Sequence, residues 1–343
     1  MAGTGGGVKR LIASVAVLIA SVSATIAEED PWLRGTITVQ IENDRIANTD
    51  RHYTHGPRFA WVSDRKEDGP DWSRALLEML YPFASLRSGR AGFSLGQNIY
   101  TPEDTETFAL VRDDRPYAGW LYVGASVHAE TTRTRFGIEL DTLDSVELNL
   151  GIVGSYAFGE FAQNTVHNII NVARSNGWDN ELDNEPGIMM IFERKWRPEP
   201  WRAGILEVDL VPHLGGSIGN VMTLLHAGGT VRLGQALSID YGPPLIRPAL
   251  SGLATIEPTS DFGWYLFAGA DIRAVAHNIF LDGNTFADSH SVDRRILVGD
   301  FQLGAAAYYK HVRIAFTHVL RTREFERQRR GDRYGALAIS ARF

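Results

Sequence analysis

Apolar and polar residues alternate along most of this chain. In GTITVQIEN, Ile37, Val39 and Ile41 alternate with Thr36, Thr38, Gln40 and Glu42. Over RFGIELDTLDSVELNLGIVG, Ile138, Leu140, Val146, Leu148, Leu150 and Ile152 share one parity, and Glu139, Asp141, Glu147 and Asn149 the other. In ILEVDLVPHL, Leu206, Val208 and Leu210 oppose Glu207, Asp209 and His213. In HVRIAFTHVL, Val312, Ile314, Phe316 and Leu320 oppose His311, Arg313 and Thr317. Successive side chains of a strand point to opposite faces, so a period of two predicts strands with one apolar and one polar face. About twelve are expected, centred near residues 38, 60, 95, 124, 145, 192, 208, 227, 269, 303, 315 and 338.

A soluble sandwich alternates too. Three features favour a closed transmembrane barrel. Several runs reach the length of about 9–11 residues that a tilted strand needs to cross a bilayer. The polar parity is rich in charge, as a barrel interior is. The chain ends YGALAISARF, with Leu337, Ile339, Ala341 and Phe343 on one face, and resembles the aromatic-terminated closing strand of bacterial outer-membrane barrels. An even strand number suits such barrels, and closure removes the edges that lipid cannot hydrogen-bond. The longer connections, near 44–55, 65–90, 100–116, 156–186, 235–262 and 277–297, are expected on the extracellular side.

One segment breaks the period. In GEFAQNTVHNIINVARSNGWDN, Phe161, Val166, Ile169, Ile170 and Ala173 recur at near-helical spacing, Gly159 precedes them and NGWDN ends them. A short helix from about Glu160 to Arg174 follows, placed in an extracellular loop and carrying His167. The expected fold is therefore all-β: a transmembrane antiparallel barrel of about 12 strands with one loop helix.

The first residues read differently. Lys9 and Arg10 precede the apolar run LIASVAVLIASVSA, and small residues follow at ATIA before Glu28. A basic start, a short apolar run and small residues describe a secretory signal peptide, here 1–27, leaving 28–343 as one barrel domain. The chain has no cysteine, which excludes disulfides, thiolate metal sites and cysteine nucleophiles together. Its formal net charge of -7 gives no electrostatic case for nucleic acid.

Candidate chemistry gathers in three places. In IENDRIANTDRHYTHG, Asn43, Asp44 and Asp50 offer oxygen donors of the kind hard cations take, although Asn and Asp are also ordinary turn formers. QNIYTPEDTETFALVRDDRPYAGWLYVG holds Tyr100, Tyr117, Trp120 and Tyr122, and the last two in particular read as an interfacial aromatic belt. There Asp114 and Arg115 form either a loop-anchoring ion pair or a contact to an anionic head group. In QNTVHNIINVARSNGWDNELDNEPG, His167 has the residue type of a general base. No G-x-S-x-G elbow, H-E-x-x-H or phosphate-binding glycine loop is present, so any hydrolysis would use activated water.

Taken together, NDRIANTDRHYTHG, GQNIYTPEDT, DRPYAGWLY, LGIVG and QNTVHNIINVARSNGWDNELDNEPG resemble, in order and spacing, the lipid A 3′-O-deacylases of Gram-negative outer membranes. The resemblance runs from about Gln40 to Gly187 and continues to Phe343 as barrel pattern. It implies a monomeric twelve-stranded barrel of the outer membrane, with lipid A in lipopolysaccharide as substrate. It also implies Ca2+ as cofactor and a water activated by histidine to remove the 3′-linked acyloxyacyl chain. His167 matches the family's base, Asn43 and Asp44 its Asn-Asp pair and metal-binding region, and Thr54 the Thr of its Tyr-Thr-x-Gly motif. Two positions depart. Ala173 stands where the family has Glu, with Glu181, Asp183 or Glu185 as candidate replacements, and YTPEDTETFALVR has no Lys where the family has one in the loop after the third strand, leaving Arg112 or Arg115 to supply the positive charge. A phospholipase-like acyl hydrolase and a non-enzymatic structural or pore-forming barrel are the other readings.

Overall fold

The computed structural model describes residues 34–44, 52–64, 88–135, 138–170, 174–242 and 260–343. The expected signal peptide, Asp50 and Ala173 lie outside the described residues, as does the side chain of Thr54. The strands are β1 (Gly35–Asn43), β2 (His52–Ser63), β3 (Ser88–Thr101), β4 (Ala118–Arg135), β5 (Ile138–Val153), β6 (Glu185–Pro198), β7 (Trp201–Ala203), β8 (Leu206–Gly219), β9 (Met222–Gln235), β10 (Phe262–Asn278), β11 (Leu297–Tyr309), β12 (Val312–Arg321) and β13 (Asp332–Arg342). Twelve make the wall, each pairing antiparallel with its neighbour, and β7 is a three-residue ribbon on β8. Pairing of β1 with β13 and of β6 with β8 closes the ring. Every expected strand centre falls inside a wall strand. No helix among the described residues is long and apolar enough to cross a membrane, so the crossing falls to the strands.

The alternation acts as expected. Outward positions such as Phe59, Phe93, Val123, Ile188 and Leu225 are exposed and apolar, as a lipid-facing wall requires. Inward positions are polar and buried, and their charges are paired: Arg58 with Glu147 at 3.2 Å, Arg90 with Glu130 at 3.3 Å, Arg232 with Asp209 and Asp240. One chain of alternating charge climbs to the mouth. Arg273 joins Asp271 to Asp300, Arg321 joins Asp300 to Glu324 at 2.8 and 3.4 Å, and Arg115 ends it on Glu324 at 2.8 Å. Each charge, once out of water, is tolerable only because its neighbour compensates it.

Two expectations fail here. Trp120 and Tyr122 are not a membrane belt: both are buried and stack on each other at 4.3 Å inside the barrel. Parity decides this, because on β4 the even positions from 118 to 128 point inward while Val123 faces lipid. Tyr100 joins them, stacked at 4.1 Å on Phe280 of the short helix Ile279–Asp282, while Tyr117 is buried against Trp178. The second failure concerns sidedness. Antiparallel neighbours send alternate connections to opposite ends, so those following β1, β3, β5 and β10 share one end with 322–331. The connections after β2 and β9, near 65–90 and 235–262, leave at the other end, where Gly35 and Phe343 pair, and so cannot be extracellular with the rest.

Candidate functional site

The loop end of the wall carries a transverse row of outward positions. Register pairs Asn43 of β1 with His55 of β2, His55 with Ile99 of β3, and Ile99 with Gly119 of β4. Asn43 Nδ2 lies 3.3 Å from His55 Nδ1. Between Tyr53 and His55 the β2–β3 register slips by one, so Thr54 is the extra residue of a bulge beside the row. Bulges concentrate next to active sites, where they re-aim a side chain. Asp44 follows directly after β1 and is buried.

A helix lies over this row. The helix Gly159–Ile170 matches the expected Glu160 start, and residues 171–173 of the expected segment lie outside the described residues. Its docking depends on small residues. A Cβ on Gly119 would meet the Ala157 Cβ at 3.0 Å and Gly159 Cα at 3.3 Å. Gln97 Nε2 donates to the Ala157 carbonyl at 2.6 Å, and Ala162 packs on the buried cluster of Ile99, Tyr117 and Trp178. Trp178 Nε1 donates to Gln163 Oε1 at 3.0 Å. Gln163 and His167, one turn apart, are both buried and so share the face turned toward protein. Strands stand about 4.8 Å apart and a helix rises about 1.5 Å per residue. Gly159 to Ala162 therefore covers about one strand spacing, from β4 to β3, and His167 follows five residues further along the helix.

The candidate replacements for the family's Glu sit elsewhere. Glu181 accepts the Gly119 amide at 3.0 Å, at the start of the helix and not beyond His167. Burial pushes its carboxyl up to about 7, assisted by the charge of Glu160 and opposed by the Gly119 amide. Asp183 is exposed. Glu185 is buried and holds the connection after β10: its Oε2 accepts from Asn284 Nδ2 at 3.0 Å and the Thr285 amide at 2.9 Å. The arginines separate as well. Arg112 is exposed on its loop, whereas Arg115 is buried against Glu324 over the rings of Tyr100 and Phe325, and Asp114 faces His52 rather than the Arg115 guanidinium.

His52 carries no role that the sequence alone assigns. It is buried, with Nδ1 2.7 Å from Asp332 Oδ1 and Nε2 3.3 Å from Asp114 Oδ1. Two carboxylates facing both nitrogens suit an imidazolium. Asp114 also accepts the amides of Glu103 and Arg115, each at 2.7 Å, and Gln328 donates to Asp332 at 2.9 Å. Together they clasp the connections 102–117 and 322–331 over the mouth, where a cleft of about 660 Å³ opens between Glu103, Asp113, Phe325 and Arg327. No local pattern signals this, because Asp332 is 280 residues away in the chain.

A hard cation suits the β1 end. Asn43 carries an amide oxygen and Asp44 a carboxylate, side by side at the end of β1. Both are oxygen donors of the type calcium takes.

Comparison with known proteins agrees with this architecture. The family model described as "Outer membrane protein LpxR" matches residues 11–343. No curated protein matches the chain. Among solved structures, LpxR from Salmonella typhimurium superposes with a TM-score of 0.72 at 20% identity, covering 90% of this chain and 100% of that one. The translocator domain of the autotransporter NalP from Neisseria meningitidis gives 0.39 at 13% identity over 97% and 98%. The β domain of the Bordetella autotransporter BrkA gives 0.40 at 9% identity over 91% and 100%. With a family model matched over nearly its whole length and a closed twelve-stranded wall, this chain belongs to the LpxR family of outer membrane proteins.

Proposed function

We propose that this protein is a calcium-dependent lipid A 3′-O-deacylase that works on the outward face of its barrel. Family membership supports the activity, and one observation supports the placement: the Gly159–Ala162 turn of the helix docks on the Ile99–Gly119 part of the row that begins at Asn43, with Gln163 and His167 buried on the same helix. The row sits on the lipid-facing parity of β2, four residues above exposed Phe59, so a lipid in the outer leaflet reaches it from the side. In this reading the His167 imidazole takes a proton from water, and the hydroxide attacks the ester carbonyl at the 3′ position. The tetrahedral oxyanion collapses, the sugar oxygen leaves with the proton returned by His167, and the acyloxyacyl chain departs as an acid. Asp44 and Asn43 would hold calcium, which when bound supplies positive charge against the developing oxyanion. Exposed Arg112 would meet the anionic head group.

The test is mass spectrometry of lipid A from Gram-negative cells with and without the protein, at high calcium. Loss of the mass of the 3′ acyloxyacyl chain is expected. An unchanged acyl pattern counts against the reading, and release of fatty acid from glycerophospholipid would move it to a phospholipase-like enzyme. Conductance in liposomes without hydrolysis would favour a pore.

A further inference from the structure

We propose that the barrel interior contains a metal site formed by His213, His226 and Asp271, suited to a first-row transition dication and separate from the β1 end. The three residues stand on β8, β9 and β10, and all are buried in the lumen. Asp271 Oδ2 lies 2.9 Å from His213 Nε2 and 3.0 Å from His226 Nδ1. One ligand atom from each lies within 4.8 Å of the others, and among the described residues no other set of His, Asp and Glu converges so. Asp271 divides its oxygens, since Oδ1 faces Arg273 Nε at 3.3 Å while Oδ2 faces both imidazoles.

The wall is cleared for this convergence. Gly228 lies opposite His213, and Gly215 lies opposite His226. A Cβ on Gly228 would come within 2.7 Å of His213 Nε2, and one on Gly215 within 2.5 Å of His226 Nε2. Beyond Gly215 in the same row stands Glu193. His226 Nε2 and Glu193 Oε2 are both buried, and no hydrogen bond reaches either atom. A neutral His226 that donates Nδ1–H to Asp271 turns a bare Nε2 lone pair toward the side that holds a carboxylate. A metal on Nδ1 places the proton on Nε2, which becomes a donor on the Glu193 side, the outer-shell arrangement that recurs around metal-bound imidazoles.

Two imidazole nitrogens and one carboxylate oxygen suit zinc, copper, nickel or cobalt, and leave a position for water. Calcium, which takes six to eight oxygens, does not match.

The test refolds the full chain in detergent with Co2+ present, because so buried a site loads as the barrel closes. About one equivalent retained after desalting is expected, with visible d–d absorption that Zn2+ abolishes and excess Ca2+ leaves unchanged. His213→Gln and His226→Gln should each weaken retention at least about tenfold, and Asp44→Asn should not. No retained metal, or retention unaffected by both histidine variants, overturns the proposal. Should those variants fail to give the heat-modifiable barrel, Cu2+ electron paramagnetic resonance of the unaltered chain decides: two-nitrogen splitting supports the site, and its absence overturns it.

Discussion

Gly119 on β4 and Gly159 at the head of the helix approach so closely that a Cβ on the first would lie 3.3 Å from the Cα of the second. That contact sets the height of the helix above the wall. Gly119→Val should therefore lift the helix and displace His167 while the barrel still closes. Deacylation should fall by about 10²-fold, since a shift of about 1 Å at a reacting group is enough. Heat-modifiable migration on gels checks that the barrel is intact, and full activity would show that this docking is dispensable.

His167→Ala should lower deacylation by about 10²–10⁴-fold, the range for a lost general base. The reading of His167 as base fails if the variant, assembled normally, releases the acyl chain at the original rate.

Arg115 and Glu324 form a buried pair at 2.8 Å that ties two connections of the mouth together. Arg115→Ala leaves Glu324 with Arg321 alone at 3.4 Å. Breaking such a pair costs about 3–5 kcal/mol, so the variant should unfold at clearly lower urea concentration. An unchanged midpoint would mean the pair contributes nothing.

The clasp at the mouth should outlast mild acid. Burial by itself would raise the Asp114 carboxyl, but the hydrogen bond and charge of His52 and the amides of Glu103 and Arg115 bring it below its ordinary value. A carboxyl depressed on folding stabilises above its unfolded value, about 3.9, and loses that contribution as pH falls through the folded one. Protease protection of the 102–117 connection should hold at about pH 5 and fail only below about pH 4. Cleavage already at pH 5 would contradict the assignment.

Glu181 behaves oppositely. With burial holding its carboxyl up to about 7, the folded state keeps a proton that the unfolded chain releases earlier, so stability falls as pH rises toward 7. Glu181→Gln should remove that slope. Hydrogen exchange across the helix should slow in the variant at alkaline pH and match the parent in acid.

Much of the wall was legible because lipid outside and polar side chains inside force a period of two on every strand, and all the expected centres lie within strands. Sidedness was not, since alternation within a strand says nothing about which end a connection leaves. Trp120 and Tyr122 misled for a related reason: aromatic residues serve a belt or a lumen equally well, and only parity against Val123 separates the two. Asn43 and His167, proposed for the site, stand in short motifs that the sequence displays. Glu324, Gln328 and Asp332 were not, because their partners Arg115 and His52 lie more than 200 residues away and no short spacing announces them.

The helix over the outward row has a kinetic consequence. A site on the outward face of the barrel, as proposed above, meets its ligand by diffusion in two dimensions. The quantity that governs its rate is then the mole fraction of substrate in the surface, not the bulk concentration. Inert lipid or detergent should slow turnover by surface dilution, and neighbouring molecules in the leaflet, not the surrounding solution, would set how fast this protein works.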